Sequence, residues 1–311
     1  MDTFTIVPTT AFSLRESVEF GFGQRAGQQF DGMMRLAFCQ DDLRTQVGVV
    51  LREDEAGVHG EVSAGNGDLD AIRQQVARVL SLDIDGSGFA DVGSRDPVIG
   101  ALQEAASGLL PPLFHSPYEA AVWSVLSARR PAAQMAQIRQ RLSEQHGRVF
   151  KLAGQTIAAL PTPEQLLAVA DFPGLPPEKL ARMHGVAQAA QDGVLDVDRL
   201  QRFGPVVAAA ELQRIKGIGP FYASLITIRA TGFADVLPVD EPLARDLVTR
   251  LYALDKPCEA ADLERIAEPW RPYRTWATVL IRAAGHRILG PAGAPLASAG
   301  SLDGPQSRPA Q

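Results

Sequence analysis

The sequence predicts an α+β N-terminal domain, an antiparallel sheet with helices, followed by an all-α core. Period-two runs bounded by turns fill the first 65 residues, and after about residue 90 helical spacing replaces them. Twice, a Ser or Thr followed by proline opens such a helical run. At 311 residues and 46% hydrophobic content, the chain can bury a sizeable core and is long enough for about two domains. The boundaries expected are 1–95 for the α+β part, 96–205 for a helical domain, 206–290 for a helical region packing with it, and 291–311 for a tail.

Strands are expected at 3–7, 33–39, 46–51 and 58–62, with a helix at 13–20. Asp68 opens a further helix with Ile72, Val76, Val79 and Leu80 at helical spacing. Ser116-Pro117-Tyr118-Glu119 reads as a capping box with proline at N1, and Thr162-Pro163-Glu164-Gln165 repeats the device. Helices follow at 177–192, 206–215, 221–231, 242–254, 260–267 and 273–289. From Gly290 the chain is rich in Gly, Pro, Ala and Ser with little to bury, the composition of a disordered tail.

No apolar run reaches the roughly 18 residues of a membrane span, and the polar start is not a signal peptide, so a cytoplasmic protein is expected. Cys39 and Cys258 lie far apart with no partner at metal-binding spacing, which argues against zinc or an iron–sulfur cluster. His59, His115, His146, His184 and His286 form no ligand or catalytic spacing and read as structural or surface groups. The net charge of −6 is concentrated in the first 100 residues, with 16 acidic and 8 basic side chains. The remainder is near neutral and permits a local cationic face.

Between two good helices lies Lys216-Gly217-Ile218-Gly219-Pro220, which no continuous helix tolerates. A Gly-x-Gly turn lets the backbone approach something closely, because no Cβ atoms intervene. It also presents unpaired N–H groups at the start of the second helix, a favourable place for phosphate. Contact of this kind reads backbone shape and charge, not base sequence. A tight corner whose glycines serve only packing fits the same residues. Some twenty residues on, Asp240 sits between Pro238 and Pro242 before another helix, where an N-cap aspartate and a catalytic carboxylate are both consistent with the pattern.

Taken together, "SPYEAAVWSVLSARRPAAQMA", "PTPEQLL", "LQRIKGIGPFYASLITIRATGFADVLPVDEP" and "EPWRPYRTWATVLI" resemble, in order and spacing, the helix-hairpin-helix DNA glycosylase superfamily. The branch most resembled is that of bacterial 3-methyladenine DNA glycosylase II, over about residues 3–290. The resemblance implies a helix-hairpin-helix core, damaged duplex DNA as partner, and a hydrolase that flips out and excises alkylated bases in base excision repair. It implies no cofactor for the chemistry. A monovalent cation, Na+ or K+, is implied at the hairpin on the main-chain carbonyls of Gln213, Ile215 and Ile218 when DNA is bound.

The resemblance assigns the phosphate grip to Lys216, Gly217, Ile218 and Gly219, and the catalytic role to Asp240. A bifunctional relative carries its nucleophilic lysine where this chain has Phe221, so a monofunctional enzyme is expected. The walls of the base pocket fall on Phe221, Leu225 and Trp270, with Tyr222 and Trp123 further from the pattern; plain core packing accounts for aromatics at this spacing equally well. An electron-rich pocket would favour cationic alkylated purines. Ala128 and Arg129 stand where the family often has glutamine and an apolar wedge. Arg129 with Arg130 would fill the gap and contact phosphate, or form a basic surface turn. The competing readings are a non-catalytic DNA-binding module and a glycosylase/lyase for oxidised purines. A monomer is expected.

Overall fold

A computed structural model describes residues 2–21, 29–64 and 68–290. The tail expected at 291–311 lies outside the described residues. Four strands, β1 (Asp2–Ile6), β2 (Met34–Cys39), β3 (Gln46–Asp54) and β4 (Gly57–Ala64), form one antiparallel sheet in the order β1-β4-β3-β2. Strand β2 is buried along its whole length. Helices α1 (Leu14–Phe20), α2 (Leu69–Val79), α3 (Phe89–Arg95) and α4 (Pro97–Ala105) accompany the sheet. Ser13 caps α1, accepting from the Glu16 amide at 3.2 Å, and Asp96 caps α4.

The helical part contains α5 (Pro117–Ser127), α6 (Ala132–His146), α7 (Pro163–Leu167), α8 (Pro177–Gln191), α9 (Val197–Leu212) and α10 (Pro220–Thr231). After it come α11 (Pro242–Leu251), α12 (Ala260–Ile266) and α13 (Arg274–Leu289). Sequence spacing places α9 at 206–215, but the helix begins at Val197 and breaks at Gly204-Pro205, where Gly204 has φ 73°. The proline removes an amide and forces the kink, so periodicity registers only the second half.

A second hairpin, β5 (Val149–Leu152) with β6 (Gln155–Ala158), interrupts the helices where no strand was expected. Phe150 and Leu152 are buried while Val149 and Lys151 are exposed, a period too short to stand out in a helical context. Its turn, Ala153-Gly154, has φ 43° and 81°, and alanine is a poor advertisement for a left-handed turn. The hairpin lies on the main sheet at Gly48, where a Cβ would meet Phe150 at 2.8 Å.

Two cores result. The first joins the sheet and α2–α4 to apolar residues of α11–α13, including Leu247, Trp270, Trp276 and Leu280. The second is built from α5–α10 around Tyr118, Trp123, Leu142, Met183 and Ile226. The chain passes from the second to the first between Ala230 and Leu237.

The two capping devices fold differently. Thr162 and Gln165 make the full reciprocal box, at 2.9 and 3.3 Å. At α5 only half forms: Ser116 Oγ accepts from the Glu119 amide at 3.2 Å, but the Glu119 carboxylate turns elsewhere. It accepts from His115 Nδ1 at 3.0 Å, from Arg139 at 2.8 Å and from the Cys39 amide at 3.3 Å. Glu119 thereby ties β2 to α5 and α6. Burial alone would raise its pKa, but the charges and hydrogen bonds of His115 and Arg139 outweigh burial and hold it at about 2.

Candidate functional site

Leu212 ends α9, and the chain turns through Gln213–Gly219 into α10. The turn is held from inside by Ile215 and Ile218, both buried, and by the Ile218 amide donating to the Ile215 carbonyl at 3.0 Å. Its outer side, Lys216, Gly217, Gly219 and Pro220, is exposed. Gly217 has φ 103°, a backbone that favours glycine. A Cβ at Gly219 would meet nothing within 4 Å, so protein packing gives no reason for glycine there. The amides of Gly217 and Gly219 have no acceptor among the described residues. With the first turn of α10 behind them they form a positive, open backbone surface.

Three elements meet around this turn. A Cβ on Gly217 would lie 3.2 Å from Cδ of Arg182, so α8 stands directly beside the hairpin. One turn before Arg182, Lys179 donates through Nζ to the carbonyls of Leu126 at 2.6 Å and Ala128 at 3.1 Å, closing the C-terminus of α5. Burial and the neighbouring charges of Arg130 and Arg182 lower the Lys179 pKa. Beyond that cap, Arg129 takes a left-handed backbone, φ 57°, with Arg129 and Arg130 both exposed. A non-glycine residue held in that region is strained and needs a cause in its surroundings; the Lys179 cap supplies one. Arg129, Arg130, Lys179 and Arg182 thus gather a local cationic face on a chain of net charge −6.

The aspartate turn is braced from α13. Gly232 ends α10 with φ 86°. The Thr275 amide donates to the Ala234 carbonyl at 2.9 Å, and its hydroxyl pairs with both the amide and the carbonyl of Val236 at 2.9 Å. Asp235 accepts from Arg274 Nε at 2.7 Å and from Arg271 at 3.0 Å. Burial pushes the Asp235 carboxyl up, and the hydrogen bonds and charges of Arg274 and Arg271 pull it below the usual carboxylate range. The Glu241 amide closes the turn on the Pro238 carbonyl at 3.1 Å.

Asp240 is not the N-cap expected of it. The cap of α11 is Glu241, whose carboxylate accepts from the Ala244 amide at 2.6 Å. Pro242 fixes the first helical residue, so the cap falls one residue later than the pattern implies. Asp240 is left exposed, with no hydrogen bond or ion pair to another described residue.

The aromatic candidates separate. Phe221 and Tyr222 meet edge to face at 5.3 Å, and with Leu225 they remain half-buried on the first turns of α10. Trp270 is fully buried in the first core, its Nε1 donating to Asp96 at 2.8 Å, and Tyr252 donates to the same carboxylate at 2.5 Å. Trp123 is 2% exposed inside the second core. Both tryptophans occupy core positions. Lys179, Arg182 and Asp235 escaped sequence reading: their role depends on which loop they meet, and local spacing carries no trace of that.

No family model matches the chain. A DNA-3-methyladenine glycosylase of Bacillus subtilis (strain 168) is 23% identical over 218 residues, covering 66% of this chain and 71% of the relative. A probable bifunctional transcriptional activator/DNA repair enzyme AlkA of Mycobacterium tuberculosis is 28% identical over 220 residues, 68% of this chain. The chain spans only 42% of that relative's length. The solved 3-methyladenine DNA-glycosylase of Archaeoglobus fulgidus shares the fold at TM-score 0.71 and 20% identity, over 90% of this chain and 97% of that one. With an antiparallel sheet ahead of the helices and a glycine hairpin between α9 and α10, the chain is similar in sequence to 3-methyladenine DNA glycosylases and shares the fold of a solved one.

Proposed function

We propose that the chain is a monofunctional DNA N-glycosylase that extrudes an alkylated base from duplex DNA, hydrolyses its N-glycosidic bond and leaves an intact abasic site. The observation that carries this reading is Asp240: an exposed, unpartnered carboxylate on a turn braced by Asp235 and Thr275, some twenty residues after the hairpin. Plain DNA binding has no use for a carboxylate there. The names of the relatives support the alkylated base and the base excision repair role.

As the bond from C1′ to the base breaks, its electron pair leaves with the base and positive charge builds on the deoxyribose. A fixed carboxylate beside that charge stabilises it. Water then bonds to C1′, and Asp240 takes its proton. The amides of Gly217 and Gly219 hold the phosphate backbone, with Lys216 and the four-residue cationic face alongside. The carbonyls of Gln213, Ile215 and Ile218 offer oxygen donors for Na+ or K+; that of Ile215 keeps a lone pair beyond its bond to the Ile218 amide. Arg129 fills the gap left by the base, and Phe221, Tyr222 and Leu225 line its new place. Phe221 has no amine to attack C1′, so the strand stays whole. Among the described residues no helix is long and apolar enough to cross a membrane, and we place the enzyme as a cytoplasmic monomer working at the nucleoid.

Single-turnover incubation with duplex containing 7-methylguanine tests the reading. Wild type releases free base and Asp240→Asn does not; equal release by both, or binding without release, overturns it. Strand breaks that appear before alkali treatment overturn the monofunctional part.

A further inference from the structure

The second half of α9 carries its exposed side chains in one stripe, Val206, Val207, Ala210, Gln213 and Arg214, with Phe203 just before the kink. Val206 is 81% exposed, Val207 50% and Phe203 39%, while Ala208 and Leu212 take the buried face. Single exposed apolar side chains are ordinary on a protein surface, but three within one kinked turn mark a place that gains by being covered. The kink gives that place its shape. Gly204 holds φ 73°, and a Cβ there would meet nothing within 4 Å, so the backbone leaves an open notch between Phe203 and Val206. The charges around the notch are basic. Arg199 lies over the Phe203 ring at 5.3 Å, and Arg202 is exposed with no hydrogen bond or ion pair among the described residues. Glu211, the carboxylate of this face, is already paired with Arg214 at 2.9 Å and Arg199 at 3.8 Å. Asp196 and Asp198, at the start of α9, lie toward Asp41, whose carboxyl is raised by burial and by their charges. What is left to meet a partner is apolar at the centre and positive at the rim.

We propose that this notch is a docking surface for a partner protein, which seats an acidic segment with spaced apolar side chains on Phe203, Val206 and Val207. The apolar side chains of the segment supply the anchors, and its carboxylates meet Arg199, Arg202 and Arg214, which sets orientation and rejects other partners. A DNA duplex does not fit, because phosphates need donors and an apolar centre offers none. A second copy docking through the same face would bring two sets of the same arginines together across a two-fold axis. One docking through its acidic N-terminal third would make a head-to-tail contact that runs on from copy to copy. About 9 Å of helix separates Val206 from Leu212, where the hairpin begins, so the partner sits behind the phosphate grip and beside it.

Random peptide display on the immobilised chain supplies the probe, and the enriched peptides are synthesised and titrated by fluorescence anisotropy. Acidic peptides with spaced apolar residues are expected to be enriched, and their affinity to fall by about tenfold or more in Val206→Glu and in Arg202→Glu. Lys256→Glu, a charge reversal at an exposed lysine outside α9, is expected to leave it unchanged. Both α9 variants are expected to melt and to release base as wild type does, and Arg202→Glu carries the test if Val206→Glu fails to fold. Enrichment without an acidic, apolar pattern, equal affinity in the α9 variants, or an equal loss in Lys256→Glu overturns the proposal. So does displacement of the peptide by duplex, which would give the notch to DNA, or a wild-type dimer in sedimentation that Val206→Glu dissolves, which would give it to a second copy. Base release is read separately: no peptide binding with release intact sinks the docking surface alone, and no release with peptide binding intact sinks the glycosylase reading alone.

Discussion

Lys179 spends its charge on two main-chain carbonyls at the end of α5, and Arg129 sits in a strained backbone just beyond them. Removing both bonds with Lys179→Met is expected to cost about 1–3 kcal/mol of stability. It should also weaken binding to a duplex with an abasic site, because the loop bearing Arg129 and Arg130 is no longer held. Lys179→Arg, which can still reach a carbonyl, should recover most of the binding; denaturant melts and fluorescence anisotropy read the two effects separately. Trp270 makes a contrasting case. Its buried bond to Asp96 makes Trp270→Phe a stability variant, down by about 1–3 kcal/mol, with the rate of base release unchanged. A lost rate at full stability would return Trp270 to the pocket.

At the scale of elements, the hairpin separates conformational from steric need. Gly217→Ala meets a backbone at φ 103° and Arg182 at 3.2 Å, so it should cost about 1–3 kcal/mol of stability. Gly219 has φ −86° and open space, so Gly219→Ala should leave stability within about 0.5 kcal/mol while placing a methyl where phosphate must approach. Thermal melts and DNA titration check the pair; a Gly219→Ala protein that binds as wild type would remove that glycine from the phosphate grip. Both glycines were legible because a Gly-x-Gly between helices has few explanations. The helices opened by proline and a capping residue were legible for the same reason: α5, α7 and α11 announce their starts. The β5–β6 hairpin and the first half of α9 were not, since four-residue strands and a Gly-Pro break leave too short a period to register. The brace under Asp240 was invisible in kind: Asp235 and Arg274, like Val236 and Thr275, are ordinary residues 39 positions apart until the fold joins them.

At the scale of the molecule, Glu119 is the buried joint between the sheet and the second core. Its carboxyl titrates at about 2 when folded, against an ordinary value of 4.5. A depressed carboxylate contributes stability that is complete above its unfolded pKa and is lost as pH falls toward the folded one. Unfolding free energy should therefore decline between about pH 4.5 and about pH 2, and Glu119→Gln should flatten that decline. At neutral pH the same variant should cost about 3–5 kcal/mol, because Arg139 keeps a buried charge without its partner. Denaturant titrations across the acid range measure both. The sequence marked Glu119 as a capping residue and had no means of showing that the fold would redirect it inward.

The first core draws on the chain twice, up to Leu110 and again from Ala234, and the buried residues of the second core lie between, from Phe114 to Ala230. During synthesis the sheet emerges first yet lacks Trp270, Trp276 and Leu280 until the last helix leaves the ribosome. The intervening helices, complete at α10, can settle earlier. The part made first is thus the last to be sealed, and the turn carrying Asp240 reaches its brace on α13 only then.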